Sequence, residues 1–154
     1  MIKKESMMSK PETISQANSI EDIELSVQEI KWLTEIGFIA PQLGHTKVAL
    51  MIFRALLLCR PQDDFPYIGL ATTYLGMGQY TEACELLKKT RREHPNSLEV
   101  KSLLAMALKF NHHNGEAERL LTEIIHTKGN STEPAYALAE TLLKPDAINP
   151  KKNK

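Results

Sequence analysis

The sequence predicts an all-α chain built as a stacked array of helix-turn-helix units, and three observations carry that prediction. Ala49, Ala83 and Ala117 stand 34 residues apart. Gly44 with Gly78, Pro61 with Pro95 and Leu87 with Leu121 keep the same interval. The stretches between these marks are amphipathic at helical spacing. A fixed period of this length belongs to a repeat of two helices and their turns, so the chain is an array and not a single closed domain.

Laid in register, the units run from Ile30 to Asp63, Asp64 to Ser97 and Leu98 to Ser131. In the first two, Leu43-Gly44-His45 and Met77-Gly78-Gln79 separate two helices, and glycine gives the backbone the freedom to end one helix and reverse. The recurring alanine falls on the second helix, where a methyl lets its partner approach closely. Pro61 and Pro95 follow those second helices and cannot continue them. In the third unit His112 stands where the turn glycine is expected.

Two flanking helices close the array. Ser19-Ile20-Glu21-Asp22 reads as a capped helix start, and Ile20, Ile23, Val27 and Ile30 form one apolar stripe, giving a capping helix near 19–29. Glu133-Pro134 opens a second, near 133–143, whose apolar face is Tyr136, Leu138, Leu142 and Leu143. Terminal units need such covers because each repeat leaves one face unburied. The folded domain is therefore placed at 19–143. Met1 to Asn18 is polar and aperiodic and reads as disordered, and 144–154 reads as a solvated basic tail.

Leu33, Ile36, Gly37, Ala40, Gly44, Ala49, Phe53 and Pro61 carry the signature by which the chain resembles the tetratricopeptide repeat family. The second unit repeats it with Tyr67, Leu70, Ala71, Tyr74, Gly78, Tyr80, Ala83, Leu87 and Pro95. The third keeps Leu104, Ala105, Leu108, Ala117 and Leu121 but has Lys101, His112 and Gly129 where the family has an apolar residue, glycine and proline. The resemblance implies a right-handed superhelix of three repeats. It says little about function, since repeat arrays serve many partners.

Composition narrows the function. The chain of 154 residues is 42% hydrophobic, enough for a real core. Its 19 acidic and 19 basic residues balance, so no electrostatic case exists for nucleic acid. The most apolar run, Val48 to Cys59, is broken by Arg54 and too short to span a membrane. Lys3 and Lys4 have no apolar stretch behind them, so no secretory signal is expected. Cys59 and Cys84 read as small buried hydrophobes in a reducing cytoplasm.

No pattern points to an enzyme, a metal or a cofactor. His112 and His113 are sequence neighbours, cannot share a helix face, and have no acid or cysteine at ligand spacing, so they read as a polar turn. Glu82, Glu85, Lys88, Lys89, Arg91, Arg92 and Glu93 form a solvated helix face. Gly76 and Gly78 follow no strand and make no phosphate loop.

The informative surface is the inner face, formed by the first helix of each unit. By register the first unit offers Lys31, Thr34, Phe38, Pro41 and Gln42, and the second Phe65, Ile68, Thr72, Leu75 and Gly76. The third offers Glu99, Ser102, Met106, Lys109 and Phe110. Phe38, Phe65, Ile68, Leu75, Met106 and Phe110 make this groove apolar, and with Thr72 and Lys109 they are the candidate partner-binding residues. An amphipathic helix or extended apolar segment of another protein is the expected occupant. Some of these residues can instead pack against the terminal helices. Only Lys31 and Lys109 supply groove cations, too few to hold a client's C-terminal carboxylate. Pro41, near the end of the first helix, is expected to bend it and tilt Phe38 inward.

The size, the architecture and the segments Glu35-Ile36-Gly37-Phe38 and Arg54-Ala55-Leu56-Leu57-Leu58-Cys59-Arg60-Pro61 are similar to the tetratricopeptide chaperones of bacterial type III secretion systems. That resemblance implies a cytoplasmic, virulence-associated chaperone that shields a secreted needle, early or translocator substrate, with a small helical co-chaperone as a further partner. The competing reading is a structural adaptor within a secretion or pilus assembly. The two differ in whether the partner is soluble alone.

Overall fold

The computed structural model describes residues 24–127 and 133–144. They form seven α-helices: α1 (Val27–Ile39), α2 (Thr46–Cys59), α3 (Phe65–Gly76), α4 (Tyr80–Glu93), α5 (Leu98–Phe110), α6 (Asn114–His126) and α7 (Pro134–Leu143), with a 3-10 turn at Ala40–Leu43. No strand occurs among the described residues. The helices pair as α1/α2, α3/α4 and α5/α6, and α7 packs on both α5 and α6 as a terminal cover.

One turn joins each pair, and its geometry recurs every 34 residues. Gly44 and Gly78 have φ of 80° and 72°, and His112, at the same register position, is held at 64°. Each turn closes with the same two backbone bonds. Gly44, Gly78 and His112 donate to Pro41, Leu75 and Lys109 (3.0, 3.0 and 3.1 Å), and the residues after them, His45, Gln79 and His113, donate to Ala40, Tyr74 and Leu108 (2.8, 2.9 and 2.8 Å). The three repeated alanines are all fully buried, as the close approach of paired helices requires.

The layers follow from which helices touch. α1 contacts α3, α3 contacts α5 and α5 contacts α7, whereas α2, α4 and α6 meet one another at most marginally. Odd-numbered helices therefore sit closer together than even-numbered ones, and the array curves towards the odd layer. Buried side chains gather in two clusters. The smaller holds Ala40, Ala49, Phe53, Leu56 and Leu70. The larger runs from Ala71 to Leu142 through α4, α5, α6 and α7. Leu86 touches both.

Phe53 ties the first pair to the second. Its ring lies so close to two helix backbones that a Cβ on Gly37 would come within 2.7 Å of it, and one on Gly69 within 2.2 Å. Only glycine leaves room for the ring at both places.

Three local expectations need correction. Pro41 does not bend an α-helix: α1 ends at Ile39, and the proline sits in the first turn of the 3-10 segment, where its missing N–H costs nothing. The capping helix placed near 19–29 does not reach 29 as a separate element. Residues 24–26 are not helical, and Val27 to Glu29 form the first turn of α1, so the boundary drawn at Ile30 falls inside a helix. The cap of α1 is Ser26, in a capping box with Glu29. The serine amide donates to Glu29 Oε2 at 2.8 Å, and the Glu29 amide donates to Ser26 Oγ at 3.3 Å. The Ser26 hydroxyl, and then its amide, hold the Glu29 carboxyl below the usual carboxylate range. The start proposed at Ser19–Asp22, the tail at 1–18, the residues Gly129 and Ser131 and the basic tail beyond Lys144 lie outside the described residues.

Candidate functional site

The face on the odd layer is shaped by what each helix must bury. α1 turns Gly37 to the core and the 3-10 turn does the same with Ala40, which leaves Phe38 at the edge, 37% exposed. Its ring meets Phe53 edge-on, with centroids 5.0 Å apart. α3 buries Tyr67, Leu70, Ala71 and Thr73, and this leaves Thr72 on the surface with its hydroxyl donating to the Ile68 carbonyl at 2.8 Å. Between them lies a cavity of about 330 Å³ lined by Gly37, Phe38, Pro41, Gln42, Thr46, Thr72, Thr73 and Gly76. Five of those eight stand at the repeat positions expected to face the groove.

The remaining candidates lie elsewhere or deeper. Phe65 is half-buried against the smaller core cluster, and Ile68, Leu75 and Met106 are half-buried against the larger one. Phe110 stacks on Tyr80, centroids 5.2 Å apart and planes 22° from parallel. The Lys109 ammonium donates to the Leu142 carbonyl of α7. Ser102 is buried, its hydroxyl bonded to the Glu99 carbonyl at 3.0 Å. In the third unit's share of this face, α7 lies along α5 and engages Lys109, while Phe110 is engaged by α4. The part between α1 and α3 brings candidate residues together around open space.

Sequence reasoning passed over Gly37, Thr46 and Thr73 as lining residues, because it followed surface positions alone. Gly37 is there for Phe53; the missing signal was the second glycine, Gly69, one helix away. It also passed over an apolar surface on the first pair: Trp32 is 56%, Met51 70% and Leu58 64% exposed.

Chemistry at the site is apolar contact, hydroxyls and the Gln42 carboxamide, whose Nε2 donates to the Phe38 carbonyl at 3.3 Å. No group of three or more His, Cys, Asp or Glu side chains among the described residues is placed to hold a metal ion. His113 meets Glu116 at 3.4 Å, and among the described residues His112 makes its backbone turn bond alone. Cys59 and Cys84 are free thiols, and burial pushes the Cys84 thiol up. No helix among the described residues is long and apolar enough to cross a membrane.

With the geometry in hand, the relations of the chain are specific. The tetratricopeptide repeat family model matches residues 42–107. Among curated proteins none matches the sequence. Two solved structures of the Yersinia enterocolitica type III secretion translocator chaperone SycD share the fold. One, described as an alternative dimer, aligns over 78% of this chain and 96% of its own, with a TM-score of 0.63 and 23% identity. The other aligns over 76% of this chain and 90% of its own, with a TM-score of 0.65 and 23% identity. The architecture is therefore a tetratricopeptide-like all-α array of the kind SycD has.

Proposed function

We propose that this tetratricopeptide-like array is a non-enzymatic, cytoplasmic chaperone of a type III secretion system. In this reading the inner face buries an apolar or amphipathic segment of a needle, early or translocator substrate until export. The observation that carries it is the cavity between α1 and α3, where Phe38 and Pro41 present apolar surface beside the hydroxyls of Thr46, Thr72 and Thr73. Such a site suits an aliphatic or aromatic side chain with a few polar anchors, which is how a groove takes a partner's helix or extended segment. The likeness to SycD supports the choice of system, and Phe65, Ile68, Leu75, Met106, Lys109 and Phe110 extend the same face.

The test is client capture from the native cell with the full chain, identification by mass spectrometry, and co-expression of the client with wild type, Phe38→Glu or Thr72→Arg. Interface energy concentrates in a few central residues, so each variant should weaken capture by at least about tenfold while circular dichroism stays helical. A client that stays soluble and unassembled without the chain refutes chaperoning. Folded variants that still capture it move the site off this face. The adaptor reading keeps one observation in its favour, the exposed Trp32, Met51 and Leu58, which suit a permanently docked partner. It requires a partner that is stable alone.

A further inference from the structure

The opposite side of the array carries a second groove, enclosed by α4, α5 and α6, with a volume of about 480 Å³. Its rim holds Lys88, Arg91, Arg92 and Arg119 against Glu116 and Glu123, and its floor is Leu104, Leu108 and Leu120. Both acids are already engaged. Glu123 takes Arg91 at 2.8 Å and Lys101 at 2.9 Å, and Glu116 takes Lys88 at 3.1 Å and His113 at 3.4 Å. These contacts hold both carboxyls below the usual range, with the Lys101 bond first for Glu123 and the Lys88 bond first for Glu116. Arg92 and Arg119 have no ion-pair partner among the described residues.

The repeat itself provides a control. Moving back 34 residues, the same register positions hold Arg54, Leu57 and Leu58 on α2 and Glu82, Glu85 and Lys89 on α4, two cations against two acids. Stacking one pair on the next does not need the extra cations. They are a property of this groove in a chain whose formal net charge is zero.

We propose that the groove docks an acidic segment of a partner protein, placing its carboxylates on Arg92 and Arg119 and its aliphatic side chains over the leucine floor. Guanidinium and carboxylate match as planar bidentate partners, and a half-enclosed apolar floor strengthens the pairing. A nucleic acid fits less well. Glu116 and Glu123 on the rim repel phosphates, and no aromatic side chain lines the groove to stack a base.

The probe is a fluorescein-labelled helical peptide of about four turns with glutamates and leucines on one face, titrated into the full chain by fluorescence anisotropy. A glutamine-for-glutamate analogue and an oligothymidylate of similar length are titrated in parallel. The glutamate peptide should bind at least about tenfold tighter than the glutamine analogue, and rising salt should weaken it. The double variant R92E/R119E should lose at least about tenfold, whereas Lys89→Glu, on an exposed neighbouring position of α4, should stay near wild type. Thr72→Arg on the inner face should also bind as wild type, which separates this site from the proposed client groove. No binding of the glutamate peptide, equal binding of its analogue, or equal loss in Lys89→Glu overturns the proposal. Tighter binding of the oligothymidylate overturns the partner class.

Discussion

Replacing His112 with glycine should make this protein more stable. His112 occupies the turn position that Gly44 and Gly78 hold in the preceding pairs, with φ of 64°. A side chain in that left-handed conformation costs about 1–2 kcal/mol because its Cβ crowds the backbone. Glycine removes the crowding but loses more freedom on folding, about 0.5–1 kcal/mol. The net gain is about 0–1.5 kcal/mol, centred on about 0.75, since the exposed His112 side chain forms no hydrogen bond or ion pair among the described residues. For a chain of this size the central value raises Tm by about 2–3 °C. Thermal and urea unfolding followed by circular dichroism would measure it, with an unchanged denaturant slope showing that stability moved while the surface exposed on unfolding did not. Gly44→His is the mirror experiment: no atom lies within 4 Å of a Cβ built on Gly44, so the cost should be backbone strain of similar size. A His112→Gly variant no more stable than wild type, beside a harmless Gly44→His, would refute the claim that the backbone sets these turns.

Ala83→Leu should cost about 1–3 kcal/mol by overpacking α3 against α4, whereas Glu82→Leu, one residue away on the surface, should stay within about 0.5 kcal/mol; equal melting temperatures would contradict the packing. Gly69→Ala should be at least as damaging as Ala83→Leu, because the Phe53 ring blocks the new methyl, and pairing it with Phe53→Leu should recover part of the loss in a double-mutant cycle. Glu123 is held low first by Lys101, with Arg91 adding to it, so its folded carboxyl titrates below its unfolded one. Its stabilising contribution is therefore complete above the ordinary carboxylate range and lost as pH falls through the lowered folded value. Because Glu123 is exposed the effect is small, and Glu123→Gln should lower the neutral part of the stability curve slightly and so flatten its acid limb.

The architecture was legible because the 34-residue interval is written in residues with backbone consequences: alanine at helix contacts, glycine or a tolerated substitute at left-handed turns. Even His112, which breaks the pattern by identity, obeys it in conformation. Helix boundaries were less legible. Ser19-to-Asp22 and Ser26-to-Glu29 have the same spacing of serine and acid, and nothing local tells which opens α1. The inner face was legible only as a register. Which of its residues stay open depends on where α7 lies, and Lys109 looks like a surface position until that helix covers α5. The basic groove was visible as a charged helix face, but its leucine floor belongs to α5 and α6 and is invisible from α4 alone.

The division of the interior into two clusters sets how the molecule comes apart. In a linear array each unit is held only by its neighbour, so the weakest junction decides where local opening begins. Here the junction between the first and second pairs is the smaller cluster, where Phe53, seated against Gly37 and Gly69, meets Leu70, Phe65 and Leu86. The larger cluster contains no residue of α1 or α2 and does not depend on them for its packing. The cavity beneath Phe38 straddles that seam, with Gly37 and Phe38 on one side and Thr72, Thr73 and Gly76 on the other. Anything seated there touches both halves and must leave before they separate, so occupancy works as a latch on the first pair. Filling the site and loosening the end of the array are opposing events, and an agent that pries α1 and α2 away would also eject the occupant.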